Sequence, residues 1–363
     1  MFDHWLTPYS TDTTFEPTTL GHYLTQGRKK GTALAEGQCV LIGLDKTAAK
    51  AVREQLYPLI WSFGEQPFAD LGNLRKTSTN FVLPLLRELH DSRLFPIFLG
   101  SKPALVRTQY QAFLQIRSQV NLAIIDERAP FHLTNKRAAD GYLNAIVHER
   151  LESLFQLSLI GAQAHFTPTD YFDWLASNNF TSLRLGAARE QLAQVEPILR
   201  DADVLVMHLA ALKRAEAPAQ LHASPSGFLL EEACQLCRYA GMSDKLRSFG
   251  LYGLDTSNKR ELRHTAQSVA QLVWYFLDGY FQRVGDYPVT NKGLTEYIVD
   301  GKGKGEKLTF WKSPRSGRWW LQVPVDTPHQ YQRHRLIPCS YEDYLQTTQE
   351  ELPDRLWAAF RRF

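Results

Sequence analysis

Short unbroken apolar runs alternate with longer stretches in which apolar residues recur every three to four positions, and the alternation continues through most of the chain. The runs CVLIGL (39–44), LFPIFLG (94–100), VNLAIID (120–126), LSLIGA (157–162), SLRLG (182–186), DVLVMHL (203–209) and SFGLYGL (248–254) predict strands. Runs that are apolar at successive positions suit strands buried on both faces, as in a parallel sheet covered by helices. The stretches between them predict the helices. TAAKAVREQLYPLIWSF follows the first strand, and VRTQYQAFLQIRS follows Gly100. TPTDYFDWLASNN opens with Thr167 and Pro168 at helix-start positions, and FLLEEACQLCRYAGM ends at Gly241, a C-cap by type. In HTAQSVAQLVWYFLDGYFQR the residues Val269, Leu272, Val273, Phe276 and Leu277 share one helical face.

Beyond Tyr287 the pattern changes. Strand-like runs flank a Gly/Lys turn and a PRSG turn, which predicts an antiparallel hairpin or small β element, and the tail SYEDYLQTTQEELPDRLWAAFRRF is helical with a break at Pro353. The chain divides on this reading into an N-terminal segment (1–34), an α/β domain (35–287) and a C-terminal extension (288–363) packed on the core.

Composition narrows the class. With 44% hydrophobic and 22% charged residues the chain is ordinary for a soluble globular protein, and a net charge of +3 gives no argument for nucleic-acid binding. The apolar runs fall far short of the roughly 18 residues of a membrane span, and the N-terminus lacks the charged-then-apolar order of a signal peptide. Four cysteines, with one C-x-x-C (Cys234, Cys237) on a helical stretch and no second Cys/His pair, predict packing rather than zinc, and a cytoplasmic protein. GKGKGEK (301–307) lacks phosphate-loop spacing and reads as a hairpin tip, GRKKG (27–31) reads as an exposed loop, and no G-x-S-x-G elbow occurs.

One strand end carries chemistry. VNLAIIDERAPF delivers Asp126, Glu127 and Arg128 to the carboxyl end of a buried strand, where α/β proteins bind ligands. Together with PSGFLLEEACQLCRYAGMSDKLRSFGLYGLD, TAQSVAQLVWYFLDGYFQR, FWKSPRSGRWWLQVP and RHRLIPCSYEDY, it makes the chain resemble the ureohydrolases, over about residues 35–285 for the fold and with the formimidoylglutamase-like branch most similar. The resemblance implies an arginase-like three-layer α/β/α sandwich around a mainly parallel, about eight-stranded sheet, often assembled as trimers or hexamers.

Active members of that family hold two Mn²⁺ ions that activate a water against a guanidinium or amidine carbon, which requires carboxylate and imidazole ligands. The family's G-G-D-H-S is LGSKP here, with Lys102 in place of the histidine. D-A-H-x-D is DERAP, which keeps Asp126 but has Arg128 and Pro130 at the other ligand places. S-F-D-x-D is VMHLA, with His208 and Ala210 for the two aspartates, and the substrate-facing glutamate of E-V-N-P corresponds to Gly253. One ligand place of six keeps its residue, too few for a dinuclear site.

The expectation is therefore a pseudoenzyme with no cofactor, serving a structural, assembly or partner-binding role as a homo-oligomer or with another protein. Asp126 would be neutralised by Arg128 or Lys102, and His208 would be a satisfied core histidine. Two alternatives follow from the same residues. One is a manganese-dependent hydrolase of a guanidino or amidine C–N bond; the other is a sensor of an anionic metabolite, bound between Lys102, Arg128 and His208.

Overall fold

Four strands, Cys39–Gly43, Phe95–Gly100, Val120–Ile125 and Leu154–Ile160, are buried along their whole length. Within each, successive side chains enter opposite layers. Cys39, Leu41, Ala123 and Ile125 join one core, and Val40, Ile42, Leu122 and Ile124 join the other. The computed structural model describes residues 2–29, 34–103, 105–117, 119–288, 292–300, 307–323, 334–349, 351 and 353–362.

In chain order the first part comprises β1 (Leu6–Thr7), α1 (Leu20–Lys29), β2 (Cys39–Gly43), α2 (Lys46–Leu56), β3 (Phe68–Leu74), α3 (Thr79–Asp91), β4 (Phe95–Gly100), α4 (Val106–Leu114) and β5 (Val120–Ile125). It continues with α5 (Asn144–Glu149), β6 (Leu154–Ile160), α6 (Thr169–Ser177), β7 (Thr181–Leu183), α7 (Leu185–Glu190), α8 (Glu196–Arg200), β8 (Val204–His208), α9 (Leu230–Gly241), β9 (Ser248–Tyr252) and α10 (Lys259–Phe281). The strands form one nine-stranded sheet in the order β1-β3-β2-β4-β9-β8-β5-β6-β7. Only the edge strand β1 is antiparallel to its neighbour, so eight strands run parallel, as expected. Helices α1, α2, α9 and α10 cover one face and α3 to α6 the other, which gives the three layers.

Four local expectations change. The strand read at 182–186 is shorter, because Leu185 already begins α7. Helix α6 starts at Thr169 with Pro168 as its N-cap. Gly241 is the last residue of α9 rather than a left-handed cap. A Cβ there would lie 2.2 Å from the Phe276 carbonyl oxygen of α10, and one at Gly279 would lie 2.1 Å from that of Arg238, so the two glycines let α9 and α10 approach backbone to backbone. Strand β3 escaped prediction because Asp70, Gly72 and Asn73 interrupt its apolar pattern.

Those polar residues are satisfied by Arg53 of α2, which is wholly buried. Its Nε donates to Asp70 Oδ2 at 2.6 Å, and its Nη atoms reach Asp70 Oδ1, Asn73 Oδ1 and the Gly72 carbonyl. Tyr57 adds a hydroxyl to the same carboxylate.

The C-x-x-C is packing, as expected. Cys234 and Cys237 are free and buried on α9; burial pushes the Cys234 thiol up to about 12, and Cys237 lies 3.8 Å from Met207 Sδ. After α10 come β10 (Thr295–Asp300), β11 (Lys307–Lys312), β12 (Trp319–Gln322) and β13 (Leu336–Cys339), a four-stranded antiparallel sheet and so the small β element rather than the lone hairpin, then α11 (Tyr341–Thr348) and α12 (Asp354–Phe360), which begins after Pro353. The extension is tied to the core by arginines. Arg200 donates to the Trp319 and Cys339 carbonyls and stacks on Trp320, while Arg318 and Arg362 donate to the Met242 and Asn179 carbonyls. The basic turn at 301–307, but for Lys307, lies outside the described residues. In GRKKG, residues 27–29 close α1 and the rest lie outside. Among the described residues no helix is long and apolar enough to cross a membrane.

Two outcomes follow. Arg53→Ala strands the buried Asp70 carboxylate and should cost about 3–5 kcal/mol in urea unfolding, whereas a loss below about 1 kcal/mol would mean that the network is hydrated rather than dry. His90 of α3 packs edge-on against Phe113, and burial, with Arg247 adding to it, lowers its pKa to about 4. The unfolded chain, whose histidine titrates at its ordinary value, then binds more protons between that value and pH 4. This part of the stability is present above pH 6.5 and is lost as pH falls to about 4. Melting curves of His90→Leu should therefore fall less steeply than wild type across that window.

Candidate functional site

The parallel strands bring the loops after β4, β5, β8 and β9 to one edge of the sheet. There, Lys102, Asp126, Arg128, Pro130, His208 and Ala210 line a single cleft of about 700 Å³. Gly253 stands behind it, after β9, with φ +102°. The six positions named from the sequence are thus brought together in space.

Their partners are not those expected. Asp126, 3% exposed, accepts the backbone N–H of Glu127 on Oδ1 and the Tyr142 hydroxyl on Oδ2, both at 2.8 Å. Burial, and then the Asp126 charge, push the Tyr142 phenol well above its ordinary value, which fixes it as the donor. The expected pairing of Asp126 with Arg128 is therefore corrected. The Arg128 guanidinium turns to Glu127 Oε1, through Nε at 3.1 Å and through Nη2, and lies over the Phe166 ring 5.1 Å from its centroid. Asp126 is already satisfied by neutral donors, while the wholly buried Glu127 side chain needs a cation. Burial raises the Glu127 pKa, and Arg128 opposes that rise. Lys102 is exposed and makes no ion pair among the described residues, so it neutralises neither acid.

His208 ends β8 and caps the short turn at Leu209–Ala211, its Nδ1 accepting the Ala210 N–H at 3.2 Å. That acceptor role places the ring proton on Nε2. Nδ1 lies 3.9 Å from Asp126 Oδ1, too far for a hydrogen bond, so the cap and not the carboxylate orients the ring. The imidazole lies parallel to Tyr142 and over Gly253, where a Cβ would come within 2.9 Å of His208 Cε1. A side chain at 253 and an imidazole at 208 compete for one space.

The cleft is less cationic than the sequence suggests, because Arg128 and Arg107 are paired, the latter with Glu149 at 3.0 Å. At its rim His132 Nε2 meets Asp140 Oδ1 at 2.9 Å, and that hydrogen bond holds the Asp140 carboxyl below the usual range. Sequence reasoning missed Tyr142, Phe166 and the Glu127 pairing. Tyr142 lies in a loop 16 residues past Asp126 and carries no periodicity that marks it.

The two Mn²⁺ ions implied by the resemblance do not fit this arrangement. Of the six ligand places, only Asp126 and His208 offer lone pairs from their side chains. Both Asp126 oxygens and His208 Nδ1 already accept hydrogen bonds. Among the described residues no group of three His, Cys, Asp or Glu side chains is placed to hold a metal ion.

No protein-family model matches the chain, and no curated protein does. Solved structures do. Trypanosoma cruzi formiminoglutamase with Mn²⁺ superposes with a TM-score of 0.60 at 14% identity, over 68% of this chain and 94% of that one. Formimidoylglutamase from Bacillus subtilis gives 0.60 at 16%, over 70% and 90%. The agmatine ureohydrolase of Thermoplasma volcanium gives 0.56 at 16%, over 69% and 92%. At such identities the likeness establishes the fold: this chain has the ureohydrolase fold.

Proposed function

We propose that this chain is a member of the ureohydrolase family that has lost dinuclear manganese chemistry and serves in assembly or partner binding, as a homo-oligomer or with another protein, in the cytoplasm. The observation that carries the reading is the capture of the Asp126 carboxylate by the Tyr142 hydroxyl and the Glu127 N–H. A strand-end carboxylate left open would be free to ligate a metal. Here it is closed by donors from the protein itself, with Lys102, Arg128 and Pro130 at positions that cannot ligate.

A second reading, an anion-metabolite sensor, draws on Lys102, the exposed cation of the cleft without an ion pair among the described residues. Acidic metabolites added without metal would raise the melting temperature under that reading and leave it unmoved under the first.

The first test is elemental mass spectrometry after incubation with excess Mn²⁺ and desalting. Near-zero metal per chain is expected; about two ions per chain would overturn the reading and turn attention to amidine hydrolysis. The closing of Asp126 has its own consequence. Tyr142→Phe removes one of its two donors, and Asp126→Ala leaves the buried Tyr142 hydroxyl unmatched. Each should cost about 1–3 kcal/mol in denaturant unfolding. If Asp126→Ala leaves stability unchanged, the carboxylate is not structural.

A further inference from the structure

The amino ends of the parallel strands, roughly 20 Å from the cleft along β4, carry a second cavity, of about 480 Å³. Its walls come from the last turns of α3 and α4 (His90, Phe113), the start of β4 (Phe95) and the loop before β9 (Lys245, Arg247). Volumes of this order hold small-molecule ligands. Cations crowd this end of the sheet. Helix C-termini gather here and favour positive charge, and Arg283 meets that need by donating to the Gly241 carbonyl at the end of α9 and to the Leu246 carbonyl. Arg93 pairs with Glu36, and the buried Lys245 ammonium pairs with Asp201 at 2.6 Å. Arg117 and Arg247 differ from these. Both line the cavity from exposed positions, and neither guanidinium makes a hydrogen bond or ion pair among the described residues. The two acids of the lining are held by backbone donors: Asp203 Oδ2 accepts the Asn121 N–H at 2.8 Å, and Asp244 accepts the Gly285 and Asp286 N–H groups at 3.3 and 3.0 Å. Burial first, and then the Arg247 charge, lower the His90 pKa, so the field of that guanidinium falls on the cavity.

We propose that this cavity is a binding site for a small organic phosphate, with the phosphoryl head between Arg117 and Arg247 and an apolar body along Phe113 and Ile116. A phosphoryl dianion presents three terminal oxygens and two charges, so it can satisfy two guanidiniums that approach from different elements, each through paired N–H donors. A monocarboxylate would leave one of the two unmatched in charge. Phe113 packs against the His90 ring and Ile116 is 43% exposed, so the wall beside the cations is apolar and gains cover from the body of such a ligand. The site stands at the opposite edge of the sheet from Lys102 and Asp126 and goes beyond both readings of the cleft.

The full chain is titrated with inorganic phosphate and with phenyl phosphate at pH 7 by calorimetry, against potassium chloride at equal ionic strength. Saturable binding is expected for both phosphates, about tenfold tighter for phenyl phosphate because of the apolar area it buries. Arg117→Gln and Arg247→Gln, both at exposed positions, should each weaken that binding about tenfold or more. Lys102→Gln should leave it unchanged, whereas under the sensor reading of the cleft the same substitution removes anion binding, so the two fail separately. The ring resonances of His90 should move as phosphate saturates, and those of His208 should not. A response equal to that of chloride, equal affinity for the two phosphates, an Arg117→Gln/Arg247→Gln variant that keeps binding, or a shift confined to His208 would each overturn the proposal.

Discussion

Burial of both faces of the sheet is the constraint from which the rest follows. Two apolar layers cover eight parallel strands, so only the sheet's ends are open. Because those strands run the same way, the loops after β4, β5, β8 and β9 are forced to one edge, and residues far apart in sequence meet there. Polar groups delivered to that edge leave water on one side only and must find partners from the neighbouring loops. The chemistry of the cleft is an account of how they do.

Two carboxylates at the end of β5 are treated differently, and the difference is physical. Asp126 sits where a backbone N–H and a phenol converge, and two neutral hydrogen bonds suffice to keep it in place. Glu127 is more deeply enclosed and has one satisfied oxygen, so it takes a guanidinium. The loop therefore holds its shape with groups of its own.

Much of the fold was legible in the chain. The apolar runs around β2, β4, β5, β8 and β9 coincide with the observed strands to within a residue or two, because strands buried on both faces carry few polar positions. Strand β3 was illegible for the converse reason: its Asp70 and Asn73 are tolerated only because Arg53, from another element, enters the core to meet them. Helix α3 was hidden for a different reason: Pro84 inside it reads as a helix breaker. At the cleft, the resemblance to the ureohydrolase motifs pointed to Lys102, Asp126, Arg128, Pro130, His208 and Ala210 as one site, since motif positions ride on strand ends. The partner of Asp126 could not be foreseen, because a loop tyrosine carries no spacing and a carboxylate's choice between a backbone N–H and a guanidinium is settled by local geometry.

The contact of His208 with Gly253 bears on how such a site could change over time. A longer side chain at 253 would collide with the imidazole, whereas an aspartate at 208 would vacate that space and could still accept the Ala210 N–H. Position 253 therefore has no room for a side chain while the imidazole stands at 208, and Asp126 is meanwhile held by Tyr142. The coupling thus runs one way: substitution at 208 is open at any time, while substitution at 253 becomes sterically open only after the imidazole has gone.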